Sequence, residues 1–346
     1  MRASITIADT QIAPGSRKTI HLQVPPLYTH AAMTMPVTAI HGRQKGPTLF
    51  VCAAVHGDEL VGVEIIRRLL KLKKLKRLRG TLMAIPVVNV YGFIQQSRYL
   101  PDRRDLNRFF PGSEKGSLTS QLADVFIEEI LNRATHGIDL HAGSNHRTNL
   151  PQIRADLSDP ETRRMALAFK TPVVIDAPLR EKSLRQTGTE KGVPIILYEA
   201  GESLRLNDVA IRAGVRGVLG VMSTLGMLPK SAVGRSRIVP MEASRTIWLR
   251  AKSSGLFISK VPLGAHIREG QALGQIVDPF GAVEETVRSQ QAGMIIGRLN
   301  LPLVHSGDAI FHVALFDQSV AIEPTISSFH EELGSYDPLQ KKKDLG

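Results

Sequence analysis

The chain has 346 residues, 42% of them hydrophobic and 22% charged, with a formal net charge of +12. These values fit a globular protein of one large domain plus a smaller one, and they exclude a disordered or fibrous chain. The single cysteine, Cys52, excludes an intrachain disulfide, and no apolar run approaches the ~18 residues of a membrane span.

Residues 1–40 read as an N-terminal β segment packed on the rest of the protein. Thr19–Val24 alternates in polarity and stops at Pro25-Pro26, and a second strand-like run covers Ala32–Ile40. The pattern then changes. Thr48–Val55 is almost continuously apolar, as a strand covered on both faces is. Glu59–Leu78 follows with helical spacing at Leu60, Val63, Ile66 and Leu70. Thr81–Val90 is another apolar run, its register unsettled by Pro86. A helix is predicted over Thr119–Arg133, with Ser117 or Thr119 as its cap, then a short strand at Gly137–Leu140. Pro160–Phe169 reads as a helix, Pro172–Ile175 and Val193–Glu199 as strands, and Leu204–Leu225 as a long helix.

Strands separated by helices predict an α/β catalytic domain over 41–235, with a mixed, mostly parallel sheet covered by helices. Residues 240–325 change character to short β-like runs and Gly turns, and predict a small all-β domain. A weak repeat runs through it: Ser254–Phe257 resembles Ala292–Ile295, and His266–Leu273 resembles Leu303–Ile310. Residues 326–346 read as a C-terminal tail, frayed over Asp337–Gly346.

Three residues carry a candidate metal site. His56 follows the first buried strand, beyond whose carboxyl end ligands bind in such sheets. Glu59 lies three residues on, about one helical turn, so both side chains can face one point. His141 repeats the placement after a second strand, with Asp139 on the same face. Imidazole and carboxylate are ordinary zinc ligands, and a His-Glu-His set leaves one zinc position open. His136 and His146 compete for the role, although His136 falls at the opposite end of its strand.

The loop Arg98–Gly112 is rich in Arg and Asn. Asn107 and Arg108 are candidates to hold a substrate carboxylate or carbonyl oxygen, and Arg104 is a further electrostatic candidate. Arg147 and Asn149, in the patch Asn145–Arg154, are candidates for the same mouth. Glu199 ends a later strand and is the candidate general acid/base, with Glu202 as its alternative.

Together these pieces resemble the succinylglutamate desuccinylase/aspartoacylase family, within the zinc carboxypeptidase-like superfamily. The resemblance rests on His56-Gly57-Asp58-Glu59, on the run Arg104–Gly112, on Asp139-Leu140-His141 and on Glu199-Ala200-Gly201, four motifs in order. It implies one Zn2+ per chain held by His56, Glu59 and His141, substrate carboxylate binding by Arg108 beside Asn107, and Glu199 as catalytic acid/base. It also implies an Arg that polarises the scissile carbonyl, matched by Arg104 with Arg98 as a competing match. The expected activity is amide hydrolysis of an N-acyl amino acid or related small carboxylate-bearing amide. A metallocarboxypeptidase on short peptides and a non-catalytic binding protein are the alternatives. The repeats in the β domain also resemble the halves of a biotinyl/lipoyl hammerhead, but the intervening Asp278–Arg288 has no Lys to modify.

The basic excess is spread out apart from Lys71–Arg79. It comes without zinc-finger spacing, an aromatic RNA-binding signature or a basic zipper, so no nucleic-acid partner is expected. No membrane partner is expected either. A small anionic N-acyl substrate accounts for part of the charge. Ala3–Thr10 lacks a signal-peptide core, and the lone Cys52 fits a reducing compartment, so the expected location is cytoplasmic. A homo-oligomer is compatible with the sequence, which names no interface.

Overall fold

The computed structural model describes residues 2–317 and 322–336. It begins with a two-stranded pair, β1 (Ile5–Ile7) and β2 (Thr10–Ile12), followed by β3 (Ser16–Val24), β4 (Met33–His41) and β5 (Gln44–Ala53). Then come α1 (Leu60–Leu70), β6 (Arg79–Ile85), α2 (Val90–Gln95), α3 (Leu118–Glu129), β7 (His136–Gly143) and β8 (Arg147–Ala155). The rest of the α/β region is α4 (Pro160–Phe169), β9 (Val173–Asp176), α5 (Leu184–Glu190), β10 (Ile195–Glu202) and α6 (Asp208–Thr224). After it come β11 (Met241–Ala243), β12 (Arg245–Arg250), β13 (Gly255–Ser259), β14 (His266–Ile267), β15 (Ala272–Val277) and β16 (Val283–Arg288). The chain continues with β17 (Gly293–Leu299), β18 (Leu303–Val304), β19 (Ala309–Leu315) and α7 (Ile322–Leu333).

One mixed sheet organises the molecule, with the order β12-β19-β17-β8-β10-β7-β5-β6-β4-β3. Its central strands β6, β5, β7 and β10 are parallel, and antiparallel pairs flank them on both sides. The apolar run in β5 is buried on both faces, as its composition demands. Leu49, Val51 and Ala53 join Ile65 and Ile66 of α1 in one core. Phe50 and Cys52 join Phe126 of α3 in the other, and the Phe50 and Phe126 rings meet edge to face with centroids 5.7 Å apart.

Several elements differ from the sequence reading. The helix expected to Leu78 ends at Leu70, and Lys73–Arg77 is a 3-10 turn. Consecutive like charges with no acidic partner at helical spacing explain the early stop. Asn145–Arg154, a basic patch in which the sequence reading placed no strand, is mostly strand β8. The C-terminal β unit does not stand apart. β17 pairs with β8, so β12, β17 and β19 extend the catalytic sheet, while β13, β15, β16 and β18 form a four-stranded sheet over them. Its two halves exchange short strands, β13 pairing with β18 and β14 with β17, which gives the internal repeat a structural counterpart. The expected tail at 326–346 begins as packed structure. Ile326, Phe329 and Leu333 of α7 are buried with Tyr336, and 337–346 lie outside the described residues. The apolar spacing in α7 carries that packing.

Candidate metal centre

His56 sits just past the end of β5. Ala54 turns the chain there with a φ of +49°, a conformation that strains a non-glycine residue and is typical of functional turns. Gly57 then passes so close to α2 that a Cβ would fall 2.0 Å from the Gly92 carbonyl carbon. Glu59 occupies the N-cap position of α1. His141 lies in β7, the strand beside β5.

The three side chains converge. Glu59 Oε1 is 2.8 Å from His56 Nδ1, Glu59 Oε2 is 2.7 Å from His141 Nδ1, and the two Nδ1 atoms are 3.2 Å apart. All three residues are buried. The outward nitrogens are held too: His56 Nε2 donates to Asp105 Oδ1 at 3.0 Å and His141 Nε2 to Asp139 Oδ2 at 2.8 Å. Both Nδ1 atoms are therefore turned to the common point, which is how metal-binding imidazoles are oriented. Asp139 in turn accepts from Cys52 Sγ at 3.4 Å, and Glu59 Oε2 from the Ala142 amide at 3.0 Å. Burial alone raises the pKa of a carboxyl, but the charge and hydrogen bonds of the two imidazoles hold Glu59 well below the ordinary range and keep it anionic.

This donor set fits a divalent cation. Two imidazoles and a carboxylate suit zinc, and donors about 2.1 Å from a tetrahedral ion lie roughly 3.4 Å from one another. The observed separations approach that spacing.

The cluster opens into a cavity of about 610 Å³ lined by both the catalytic region and the C-terminal β unit. A larger hollow, about 860 Å³, lined by Arg163, Asp176 and Phe316, shares no residue with it and has no histidine among the described residues that line it. Arg98 stands at the metal point: Nη1 is 3.2 Å from His56 Nδ1 and 3.4 Å from Glu59 Oε1, and Nη2 donates to Asp105 Oδ2 at 2.8 Å. Arg104 does not line the cavity. It pairs with Asp102 at 3.4 Å, lies over the Phe109 ring and is half exposed. Of the two arginines, Arg98 is the one beside His56 and Glu59, because Asp105 anchors it inward while Asp102 draws Arg104 outward.

Asn107 and Arg108 both line the cavity. Asn107 Oδ1 accepts from the Leu184 amide at 2.9 Å and so fixes the start of α5. Arg108 donates to the Asn107 carbonyl and has Arg180 as a charged neighbour. Glu199 is the direct register partner of His141 across β10 and β7, with Arg154 at 3.5 Å as its ion-pair partner. Glu202 is engaged by Asn300 at 2.8 Å and does not line the cavity. His136, at the far end of β7, pairs with Glu161, and His146 is exposed.

Arg147 and Asn149 line the far part of the cavity, beside residues no sequence signal had singled out. Arg147 lies 5.4 Å from the Trp248 ring centroid, and Trp248 stacks on His312 at 4.1 Å. Burial, with Arg154 and Arg147 nearby, pushes His312 down to about 3, and its Nε2 is buried without a partner. Arg185, buried and bonded to the Ala177 and Pro178 carbonyls, is pushed down to about 10 by burial. Asp105 was in a motif already noted, but its role as the His56 support was not. Arg154, Arg180, Arg185, Trp248 and His312 come from four separate segments, which only the fold assembles.

The succinylglutamate desuccinylase/aspartoacylase catalytic-domain model matches residues 45–225, more than half of the chain. The N-alpha-acetyl-L-2,4-diaminobutyric acid deacetylase of Halomonas elongata is 25% identical over 295 residues, covering 82% of this chain and 86% of that protein. Among solved structures, a succinylglutamate desuccinylase/aspartoacylase from Rhodobacter sphaeroides superposes with a TM-score of 0.78 at 24% identity, covering 87% of this chain and 96% of its own. The product-bound ectoine utilization protein EutE (DoeB) from Ruegeria pomeroyi gives 0.79 at 24% identity, over 91% and 100% of the two chains.

Proposed function

Since the chain belongs to the succinylglutamate desuccinylase/aspartoacylase family, and is thus an amidohydrolase, we propose that it is a zinc-dependent deacylase of a small, anionic N-acyl amino acid. The observation that carries this is the convergence of Glu59 and both Nδ1 atoms at the inner end of an arginine-lined cavity. His56, Glu59 and His141 hold the ion. Bound there, zinc supplies Lewis acidity and lowers the pKa of water toward neutrality.

The remaining chemistry belongs to the chain. Glu199 takes the proton from the attacking water and delivers it to the departing nitrogen. Arg98, fixed by Asp105, faces the negative charge that grows on the carbonyl oxygen. Arg108 and Asn107 hold the substrate carboxylate and so set its distance from the scissile bond. Arg98, Arg108, Arg147, Arg154, Arg180 and Arg185 line the cavity against Glu199 as its one acidic lining residue among those described. That balance favours an anionic amine half over the cationic diaminobutyrate in the name of the Halomonas relative.

The test is metal analysis followed by a panel of N-acyl amino acids. Stoichiometric zinc and amine release, faster from N-acetylaspartate or N-acetylglutamate than from N-acetyldiaminobutyrate, is the expected result. Trimming of short peptides without release from any acyl amino acid would instead make the protein a carboxypeptidase.

A further inference from the structure

β8 and β10 are antiparallel neighbours whose register slips between Glu199 and Gly201. Gly201, with a φ of +76°, faces Asn149 across the slip. Opposed residues of an antiparallel ladder either exchange amide-to-carbonyl bonds or stand unbonded between two such pairs. Here a side chain stands between them. The Tyr336 hydroxyl accepts from the Gly201 amide at 2.6 Å and donates to the Asn149 carbonyl at 2.6 Å. Tyr336 is 187 residues from Asn149 in sequence and only 5% exposed. It is delivered there by α7, which packs on α6 and is tied down by Arg212 to the Leu333 carbonyl at 2.7 Å and by Arg216 to Glu332.

We propose that Tyr336 is a positioning residue: its hydroxyl wedges β8 from β10 and thereby aims Glu199 at the metal centre. This rests on the deacylase reading above. Glu199 lies two residues before Gly201 and beside His141, and Asn149 lines the same cavity. Without the hydroxyl between them, the Gly201 amide and the Asn149 carbonyl could meet only by drawing β8 and β10 together, which would shift both side chains relative to His141. A phenol suits the task because one hydroxyl both accepts and donates. Phenylalanine fills the same space but leaves two buried main-chain groups unpaired, which the strands can relieve only by moving together.

The test uses the zinc-loaded full chain. Tyr336→Phe is expected to lower kcat tenfold or more, with KM within about twofold and zinc content unchanged. Tyr336→Ala is expected to recover activity in p-cresol but not in toluene, which fills the same hole without the hydroxyl. Wild-type kcat in a folded, zinc-loaded Tyr336→Phe overturns the proposal, as does equal rescue by the two small molecules. If Tyr336→Ala does not fold, the Phe variant decides alone. Failure of the wild-type enzyme on every N-acyl amino acid is a different result, which removes the deacylase reading itself.

Discussion

At the scale of single residues, the candidate centre is built in two tiers, and each is open to its own measurement. Asp139 touches no metal donor point but fixes the His141 tautomer through Nε2. Asp139→Asn is therefore expected to weaken zinc binding by about 10- to 100-fold while leaving all three ligands in place, read by competition with a chromogenic chelator. The two arginines divide differently. Arg98→Lys removes the forked contact to Asp105 and Glu59 and is expected to cost on the order of 100-fold in kcat. Arg104→Lys, in an exposed pair, is expected to stay within about twofold; a comparable loss from both would return Arg104 to the site. The convergence of His56, Glu59 and His141 was legible because each member follows a recognisable strand or opens a helix. Choosing between Arg98 and Arg104 was not, since both lie in one turn-rich loop and only the partners Asp105 and Asp102 separate inward from outward. Glu199 over Glu202 is the same kind of case: Asn300, nearly a hundred residues away, occupies Glu202.

At the scale of elements, strands buried on both faces were easy to read and polar strands were not. β5 is apolar and buried from Leu49 to Ala53, whereas β8 carries Arg147, Asn149 and Arg154 because one of its faces lines the cavity. Function thus hid a strand inside a polar patch. The glycines of β17 make a related point. Gly297 is the register partner of both Asn149 and His312, and a Cβ there would lie 2.9 Å from Asn149 Oδ1 and 3.0 Å from His312 Cβ. The missing side chain is what lets these two approach each other on the cavity floor. Gly297→Ala is expected to cost about 1–3 kcal/mol by overpacking and to raise KM several-fold at nearly constant kcat, because the crowded residues lie away from the metal. A kcat loss with unchanged KM would show instead that the floor and the metal centre move together.

At the scale of the whole molecule, the boundary anticipated between the catalytic and β units falls inside one sheet. Pairing of β17 with β8 is long-range and sits between a polar patch with no strand signal and a repeat that reads as self-contained, so nothing local announces it. Its consequence is that His312, on β19, is buried in a wall shared by both units and held neutral beside Arg147 and Arg154. The unfolded chain binds a proton at this imidazole near pH 6.5, but the folded protein only near about 3. Between those values the unfolded state takes up more protons, so this contribution to stability is complete above pH 6.5 and is lost as the pH falls. It amounts to a few kcal/mol at most, on the order of magnitude set by linkage. His312→Gln removes the titrating group and is expected to flatten the decline in chemical-denaturation stability between pH 6.5 and 4 relative to wild type, with both proteins held metal-free so that zinc loss does not contribute. Parallel pH profiles for the two would mean that the join between the units admits water and that His312 protonates without opening it.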